Sequence, residues 1–123
     1  MSGTSYLVDT NIVLYLLGGD QTLAGLLTGA SVFVSEISEI ELLSYPDITP
    51  QEEVKINEFL QEVSIIEMNA AIKAFTIDLR RKYRLKMPDS IIAATAQHWN
   101  LPLLSADQKM ERVEEITFFL YEL

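Results

Sequence analysis

The length, composition and charge of the chain exclude several classes of protein. With 123 residues and 49% hydrophobic side chains it can bury one core, which predicts a single folded domain over residues 1–123 and argues against disorder. It has no cysteine, which excludes disulfide frameworks, thiolate nucleophiles and cysteine-based metal sites, while its net charge of −9 argues against non-specific attraction of nucleic acid to the whole surface.

Apolar runs and capping signals divide the chain into strands and helices. Thr49, Pro50 and Glu52 form the clearest helix start, with a threonine N-cap, a proline at the first helical position and a glutamate placed for a capping box. Gly29 closes an earlier helix, and Pro46 stops another. In chain order we predict strand 6–9, helix 11–17, helix 22–27, strand 31–35, helix 37–43, helix 50–62, strand 63–67, helix 69–83, helix 90–99, strand 102–104 and strand 116–121.

The order of these elements predicts the fold class. Strands that alternate with helices form βαβ units, which build a parallel sheet with right-handed crossovers. The sequence shows no internal repeat, linker or second domain. We therefore expect an α/β protein with one parallel sheet.

Asp9 lies where the first strand passes into the first helix, within the segment LVDTN. In open parallel α/β sheets, ligands bind outside the carboxyl ends of the strands, so a carboxylate at this corner would face whatever the protein binds. The same position suits a helix N-cap, because aspartate and asparagine are favoured there. Both interpretations stay open on this segment alone.

Three further acids occupy comparable places. Asp107 follows the fourth strand, Asp89 lies in the first turn of the preceding helix, and Glu41 lies on the short helix after the second strand. Each alone is usually a cap or a solvated residue, but the four converge on one edge of the predicted sheet. Two carboxylates ~5 Å apart at an effective dielectric near 20 repel by roughly 3 kcal/mol, so the cluster needs raised pKa values or bound cations. Oxygen ligands in this number suit Mg²⁺ or Mn²⁺.

A basic cluster directly precedes Asp89. Five of the nine basic residues fall within seven positions, namely Arg80, Arg81, Lys82, Arg84 and Lys86. Such a cluster is typical of a phosphate-binding surface. Cations also favour the last turn of a helix, so a purely structural role for the cluster stays open.

Neither the single histidine nor the start of the chain indicates a catalytic triad, a signal peptide or a membrane span. A Ser-His-Asp mechanism would have to use His98, yet this residue lies at the end of an apolar helix, where packing or capping is the commoner role. The first residues lack the charged and apolar regions of a signal peptide, and no uncharged segment reaches the ~20 apolar residues of a membrane span. We therefore expect a cytoplasmic protein that does not enter the membrane.

Four segments together resemble the acidic blocks of the PIN domain, in particular those of the VapC-type toxins. They are LVDTN at 7–11, SEISEIELL at 35–43, MPDSIIAATA at 87–96 and LLSAD at 103–107. The resemblance covers nearly the whole chain in order and length, and PDSIIAATA is a specific block. It implies a three-layer α/β/α fold with a five-stranded parallel sheet in the order 3-2-1-4-5. It also implies a metal-dependent endoribonuclease that forms a homodimer and is inhibited by a cognate antitoxin.

The resemblance also assigns roles to single residues. The family's acids fall on Asp9, Glu41, Asp89 and Asp107. Asn11 and Ser105 would be polar helpers beside the first and the last of these acids. Serine stands at 105, where threonine is frequent, and Lys109 stands where a further acid often follows, which puts an extra ligand there in doubt. Glu36 and Glu39 are expected to be solvated helix residues.

The chemistry of RNA hydrolysis fits these assignments. It needs an activated water and stabilisation of charge on the phosphorus oxygens, which divalent ions held by carboxylates supply. We assign Asp9, Asp89 and Asp107 to the principal Mg²⁺ or Mn²⁺ ion and Glu41 to the orientation of water or a second ion. The two polar helpers would hold the carboxylates in orientation. The basic cluster would supply the RNA contacts, through Arg80, Arg81, Arg84 and Lys86.

Two other functions stay open. A receiver-type signalling domain shares the size, the parallel sheet and an acidic Mg²⁺ pocket. It needs an aspartate at the end of its third strand and a lysine after its last, whereas the third strand here ends in Glu67 and no matching lysine follows the fifth. A catalytically silent PIN-like module that binds RNA is harder to separate, because its acids can be present while substrate access is lost.

Overall fold

The computed structural model describes residues 3–122 and contains five short strands. They are β1 (Ser5–Val8), β2 (Ser31–Ser35), β3 (Ser64–Ile66), β4 (Leu103–Ser105) and β5 (Phe118–Leu120). These strands form one sheet in the order β3-β2-β1-β4-β5, and every neighbouring pair is parallel. The predicted parallel sheet and its order 3-2-1-4-5 are confirmed. Receiver-type domains have the different order 2-1-3-4-5.

Six α-helices connect the strands, and all six were predicted. They are α1 (Thr10–Leu17), α2 (Gln21–Leu27), α3 (Glu36–Leu43), α4 (Pro50–Glu62), α5 (Ala70–Tyr83) and α6 (Met87–Trp99). The capping box at the start of α4 is present, with Thr49 N donating to Glu52 at 2.9 Å and Glu52 N donating to the Thr49 hydroxyl at 3.1 Å. A short 3₁₀ helix over Gln108–Arg112 was not predicted, because a segment of five residues shows no helical periodicity.

Helices cover both faces of the sheet. Successive residues of a strand point to opposite faces, so Leu7 and Val8 of β1 enter two separate cores. Leu7 packs in the core formed with α5 and α6, whereas Val8 packs in the core formed with α1, α2 and α4. Helix α6 buries three alanines, Ala93, Ala94 and Ala96. Their small side chains let the helix lie close to the sheet. The predicted three-layer α/β/α arrangement is confirmed.

The strand order has a switch point between β1 and β4. From β1 the chain builds outward to β2 and β3 on one side, and it then returns to place β4 and β5 on the other side. In sheets of this kind the crevice outside the carboxyl ends of the two central strands binds ligands. Within residues 3–122 no helix has the length and apolar character needed to cross a bilayer.

Candidate active site

The candidate site lies at this switch point, where β1 and β4 end side by side. Asp9 is the first residue after β1, and Ser105 is the last residue of β4. A backbone hydrogen bond of 3.0 Å from Asp9 N to Leu104 O joins the two strand ends. The crevice predicted from the sheet topology therefore receives polar side chains from both central strands.

Asp9 is buried and held at both carboxylate oxygens. The Ser105 hydroxyl donates to Oδ2 at 2.7 Å, and the backbone N–H of Thr10 donates to Oδ1 at 2.7 Å. Burial raises the pKa of Asp9 above its ordinary value, the two hydrogen bonds oppose this shift, and the charges of Asp107 and Glu41 add to it. Asp9 is also the N-cap of α1, which confirms the capping interpretation, while its role in binding a ligand stays a prediction.

Glu41 reaches the site from α3 through a pair of hydroxyls. The Thr10 Oγ1 atom lies 2.7 Å from Glu41 Oε1 and 2.8 Å from Ser38 Oγ. Thr10 and Ser38 are both buried. Neither was predicted, although each had a local signal: Thr10 follows Asp9 directly, and Ser38 stands three positions before Glu41 on the same helix.

Asp89 shows that the four acids share one electrostatic field. It lies in the first turn of α6 and is partly buried. Burial, followed by the charges of Asp9, Asp107 and Glu41, raises its pKa from 3.8 to about 6, while nearby Lys86 opposes the shift. The structure thus brings the four predicted acids within electrostatic reach of one another.

Asp107 has a capping contact as well as a place in the site. Its Oδ1 accepts a hydrogen bond of 3.0 Å from Lys109 N at the start of the 3₁₀ helix. Its own backbone N–H donates to the Ser105 hydroxyl at 3.0 Å. Ser105 therefore contacts Asp9 through its hydrogen and the Asp107 backbone through its oxygen, which ties the ends of β1 and β4 together.

One expectation for a neighbouring residue was wrong, and another stays a prediction. Asn11 is exposed, and its side chain forms no hydrogen bond with any residue between 3 and 122, so its role as a polar helper beside Asp9 stays a prediction. Glu36 is not a freely solvated residue, since its Oε1 accepts a hydrogen bond of 2.6 Å from Met68 N and so connects α3 to the segment after β3.

His98 lies at the opposite end of α6 from Asp89. The two residues are nine positions apart on the helix, which corresponds to about 14 Å along its axis. Its ring packs edge-on against Trp99, with the centroids 4.9 Å apart, and its Nε2 lies 3.4 Å from Asn69 Nδ2. This is the packing role expected for it.

The basic cluster is divided between two helix ends. Arg80, Arg81 and Lys82 lie in the last turn of α5, Arg84 is the C-cap of α5, and Lys86 is the N-cap of α6. In the described part of the chain one ion pair forms, between Lys82 and Glu115 at 3.0 Å. The other four cations are exposed and have no carboxylate partner there, so both a phosphate-binding role and a helix-end role remain compatible with the structure.

The four acids fit a divalent cation by their chemistry, because they supply only hard oxygen ligands. They are not gathered around one point: among residues 3–122, no three acidic or histidine side chains are grouped closely enough to hold an ion. Both oxygens of Asp9 and one oxygen of Glu41 already accept hydrogen bonds from Thr10 and Ser105. Ion binding therefore requires the carboxylates to turn toward a shared point.

Comparison with known proteins agrees with the fold. One similar solved structure is VapBC2 from Rickettsia felis bound to a DNA fragment from the promoter, with a TM-score of 0.86 and 21% identity over 97% of this chain and 100% of that chain. A second is a toxin-antitoxin complex from Klebsiella pneumoniae, with a TM-score of 0.81 and 27% identity over 96% of this chain and 99% of that chain. A third is VapBC-1 from nontypeable Haemophilus influenzae, with a TM-score of 0.83 and 18% identity over 95% of this chain and 98% of that chain. No curated protein matches the chain significantly. The PIN domain family matches residues 6–116, which is most of the sequence. The chain therefore belongs to the PIN domain family.

Proposed function

We propose that the protein is a metal-dependent endoribonuclease that hydrolyses RNA phosphodiester bonds and acts as the toxin of a toxin-antitoxin pair. The observation that carries this proposal is the placement of Asp9 and Asp107 after the adjacent strands β1 and β4, where the Ser105 hydroxyl contacts both residues. The charges of these two acids and of Glu41 add to the effect of burial in raising the pKa of Asp89. Membership of the PIN domain family supports it, as does the likeness to chains from toxin-antitoxin complexes.

The four acids would have two different roles in ion binding. Asp9, Asp89 and Asp107 would hold the principal Mg²⁺ or Mn²⁺ ion, and Glu41 would orient a water molecule or a second ion. When bound, such an ion lowers the pKa of water and neutralises charge on the phosphate oxygens. Ser105 keeps the Asp9 carboxylate in one orientation, because it donates to Oδ2 inside a buried site.

The RNA backbone would be held by the unpaired cations of the basic cluster. Arg80, Arg81, Arg84 and Lys86 are exposed. Lys86 lies close enough to Asp89 to oppose the rise in its pKa, so this member of the cluster lies beside the site. Because the chain as a whole carries −9, a local positive surface is needed for a polyanion to approach.

A direct test is cleavage of single-stranded RNA by the purified protein. We expect cleavage with Mg²⁺ or Mn²⁺, none in excess EDTA, and none by the Asp9→Asn variant, which can keep the cap of α1. Asp20→Asn is a matched control, since Asp20 caps α2 by accepting from Leu23 N at 3.0 Å and contributes nothing to the candidate site. Full cleavage in EDTA, or by Asp9→Asn, would contradict the proposal.

A PIN-like module that binds RNA without cleaving it is the second candidate. The observation in its favour is that the acids of residues 3–122 are not gathered into an ion site. Such a module would bind RNA with the same salt dependence but release no shorter product under any metal condition. The cleavage assay above therefore separates the two functions.

The antitoxin would bind a groove between α1 and α4, here called the α1–α4 groove. Four adjoining cavities of about 250 to 410 Å³ form it, each sharing lining residues with the next. Leu14, Leu16 and Leu17 of α1 form one wall, and Ile56 and Phe59 of α4 form the other. An amphipathic segment with an apolar face matches this shape.

The rim of the α1–α4 groove is acidic. Asp47, Glu52, Glu58 and Glu62 line it, and Lys55 is the single cation among the lining residues. The partner segment should therefore carry lysine or arginine beside its apolar residues. A candidate antitoxin is a small protein encoded beside this gene.

Charge reversal on the rim tests this partner. The pair Glu58→Lys and Glu62→Lys should weaken binding of the neighbouring protein at least tenfold, because two attractive charges become repulsive. Glu53→Lys combined with Asp78→Lys is the matched control, since it makes the same change in net charge at two exposed acids outside the groove lining. Equal weakening by this control would point to net charge rather than to the groove.

We also infer a homodimer. Several large apolar side chains are exposed outside the α1–α4 groove, among them Ile77 on α5, which is 47% exposed, and Trp99 at the end of α6, which is 53% exposed. A second copy of the chain would cover such surface. Sedimentation at micromolar concentration should show a dimer, and finding only monomer would contradict the inference.

A further inference from the structure

We propose that Thr10 is a positioning residue that sets the place of Glu41 in the acidic site, with Ser38 supporting its hydroxyl. The proposal rests on the metal-dependent function given above. It concerns two residues that the acidic sequence pattern did not reveal. It is carried by the hydrogen bonds between α1 and α3.

The geometry connects two acids through one residue. The backbone N–H of Thr10 donates to Asp9 Oδ1 at 2.7 Å, and its hydroxyl oxygen lies 2.7 Å from Glu41 Oε1. Asp9 comes from the end of β1, whereas Glu41 comes from α3 and stands 31 positions after Thr10 in the chain. A change in the side chain of Thr10 therefore alters the relation between two candidate metal ligands.

The direction of these hydrogen bonds follows from the number of protons. A hydroxyl has one proton to donate, and an ionised carboxylate can only accept. Thr10 therefore donates to Glu41, and the Ser38 hydroxyl, 2.8 Å away, donates to the Thr10 oxygen. This arrangement leaves Thr10 Oγ1 with its proton directed at the carboxylate.

Burial makes the contact hard to replace. Thr10 is 7% exposed and Ser38 is fully buried, so water has little room to substitute for a lost hydroxyl. Glu41 is only partly buried and has three rotatable bonds, so without a fixed donor its carboxylate would sample several positions. The Thr10 hydroxyl selects one of them.

The other buried threonines do not have this role. Thr76 and Thr95 each donate to the carbonyl four residues earlier in their own helix, at 2.7 Å. Among the buried threonines of residues 3–122, Thr10 alone contacts an acid. Thr76 thus provides a matched control: the same hydroxyl-to-methyl change, at a similar depth, on a helix that carries no candidate ligand.

The experiment measures Mn²⁺ affinity by isothermal titration calorimetry, without RNA. Thr10→Val should weaken Mn²⁺ binding about tenfold or more, as expected for loss of a group that orients a metal ligand. Thr10→Ser should restore it, because serine keeps the hydroxyl. Thr76→Val should bind as the parent chain does, and Ser38→Ala should cause a smaller loss than Thr10→Val. Circular dichroism establishes that each variant is folded.

The same substitution in a chain that already carries Glu41→Gln shows whether Thr10 acts through Glu41. In a Glu41→Gln chain, Thr10→Val should cost little further affinity, because the carboxylate it positions is already gone. A tenfold loss in both backgrounds would overturn the proposal, since Thr10 would then act through Asp9 or through the fold. Parent-like affinity of Thr10→Val would also overturn it.

The outcomes separate this inference from the proposed function. If the parent chain binds Mn²⁺, loses affinity on Thr10→Val and cleaves no RNA, the nuclease proposal fails and the positioning role stands. If it cleaves RNA and Thr10→Val binds Mn²⁺ normally, the nuclease proposal stands and the positioning role fails. If the parent chain binds no Mn²⁺ at all, both fail.

Discussion

Ser105 donates a hydrogen bond of 2.7 Å to Oδ2 of Asp9, a residue 96 positions earlier in the chain. Both side chains are buried at the ends of neighbouring parallel strands. The Ser105 oxygen also accepts from Asp107 N at 3.0 Å. One hydroxyl therefore sets the orientation of one candidate ligand and the backbone position of another.

Removal of this hydroxyl should make Mn²⁺ binding more sensitive to pH. The Ser105 hydrogen bond lowers the pKa of Asp9 against the effect of burial, so Ser105→Ala should raise that pKa further. Loss of a group that orients a metal ligand should weaken Mn²⁺ binding about tenfold, and protons that compete with Mn²⁺ should make this loss larger at lower pH. Calorimetric titrations at about pH 6, 7 and 8 would measure this. Ser105→Thr keeps the hydroxyl and should retain the affinity, whereas a loss independent of pH would argue for a packing defect.

Asp89 should make the stability of the chain in EDTA depend on pH. Its folded pKa of about 6 lies above the ordinary 3.8, so the folded state holds the proton more tightly than the unfolded state. The contribution of Asp89 to the free energy of unfolding is therefore full below about pH 4 and is lost as pH rises through about 6.

Asp89→Asn should remove this dependence. Above about pH 6 the variant should be more stable than the parent by roughly 1 to 2 kcal/mol, a figure that allows for solvent screening of a partly exposed carboxylate, and near pH 4 the difference should vanish. Urea unfolding in EDTA at both pH values would measure it. Asp78→Asn removes one charge from an exposed position on α5 and controls for net charge. A variant less stable than the parent above pH 6 would contradict the assigned repulsion.

Asp107→Asn should separate catalysis from capping. Asparagine can still accept the hydrogen bond from Lys109 N that begins the 3₁₀ helix, while like-charge repulsion with Asp9 and Asp89 is removed. We expect cleavage to fall at least a hundredfold, with the free energy of unfolding in EDTA unchanged or higher. RNA cleavage and urea unfolding would be measured on the same sample. A clear loss of stability without metal would indicate that Asp107 is chiefly structural.

The basic cluster should determine the salt dependence of RNA binding. Changing Arg80, Arg81 and Arg84 together to Gln should weaken RNA binding and flatten the plot of log affinity against log salt by up to about two units, since each contact contributes ~0.7 on single strands. Mn²⁺ affinity should stay nearly unchanged, because none of the three is a candidate ligand.

Lys82→Gln is the contrast for that experiment. Its charge is already paired with Glu115 at 3.0 Å, so its loss should affect the slope less than loss of any one arginine. Fluorescence anisotropy of a labelled RNA, measured from low to high salt, would give both slopes. A triple variant with the parent's affinity and slope would show that the RNA lies elsewhere.

Local chemistry in the sequence was sufficient to predict the strands, the α-helices and the class of the fold. The helix α4 (Pro50–Glu62) starts where its capping signals predicted, because the box formed by Thr49 and Glu52 depends on residues three positions apart. Alternating strand and helix patterns predicted a parallel sheet, since a parallel connection needs a crossover between strands. The resemblance of the acidic blocks supplied the strand order and the four acids.

Contacts between distant residues were decided only by the tertiary structure. Thr10 and Asn11 are adjacent polar residues after Asp9, and only the rotation of α1 against α3 determines that Thr10 meets Glu41 while Asn11 faces solvent. Glu36 likewise contacts Met68 N, 32 positions away, once α3 packs beside the end of β3. The local sequence shows at most that a polar residue stands near an acid. Which residues pair depends on how two independently formed elements are placed against each other.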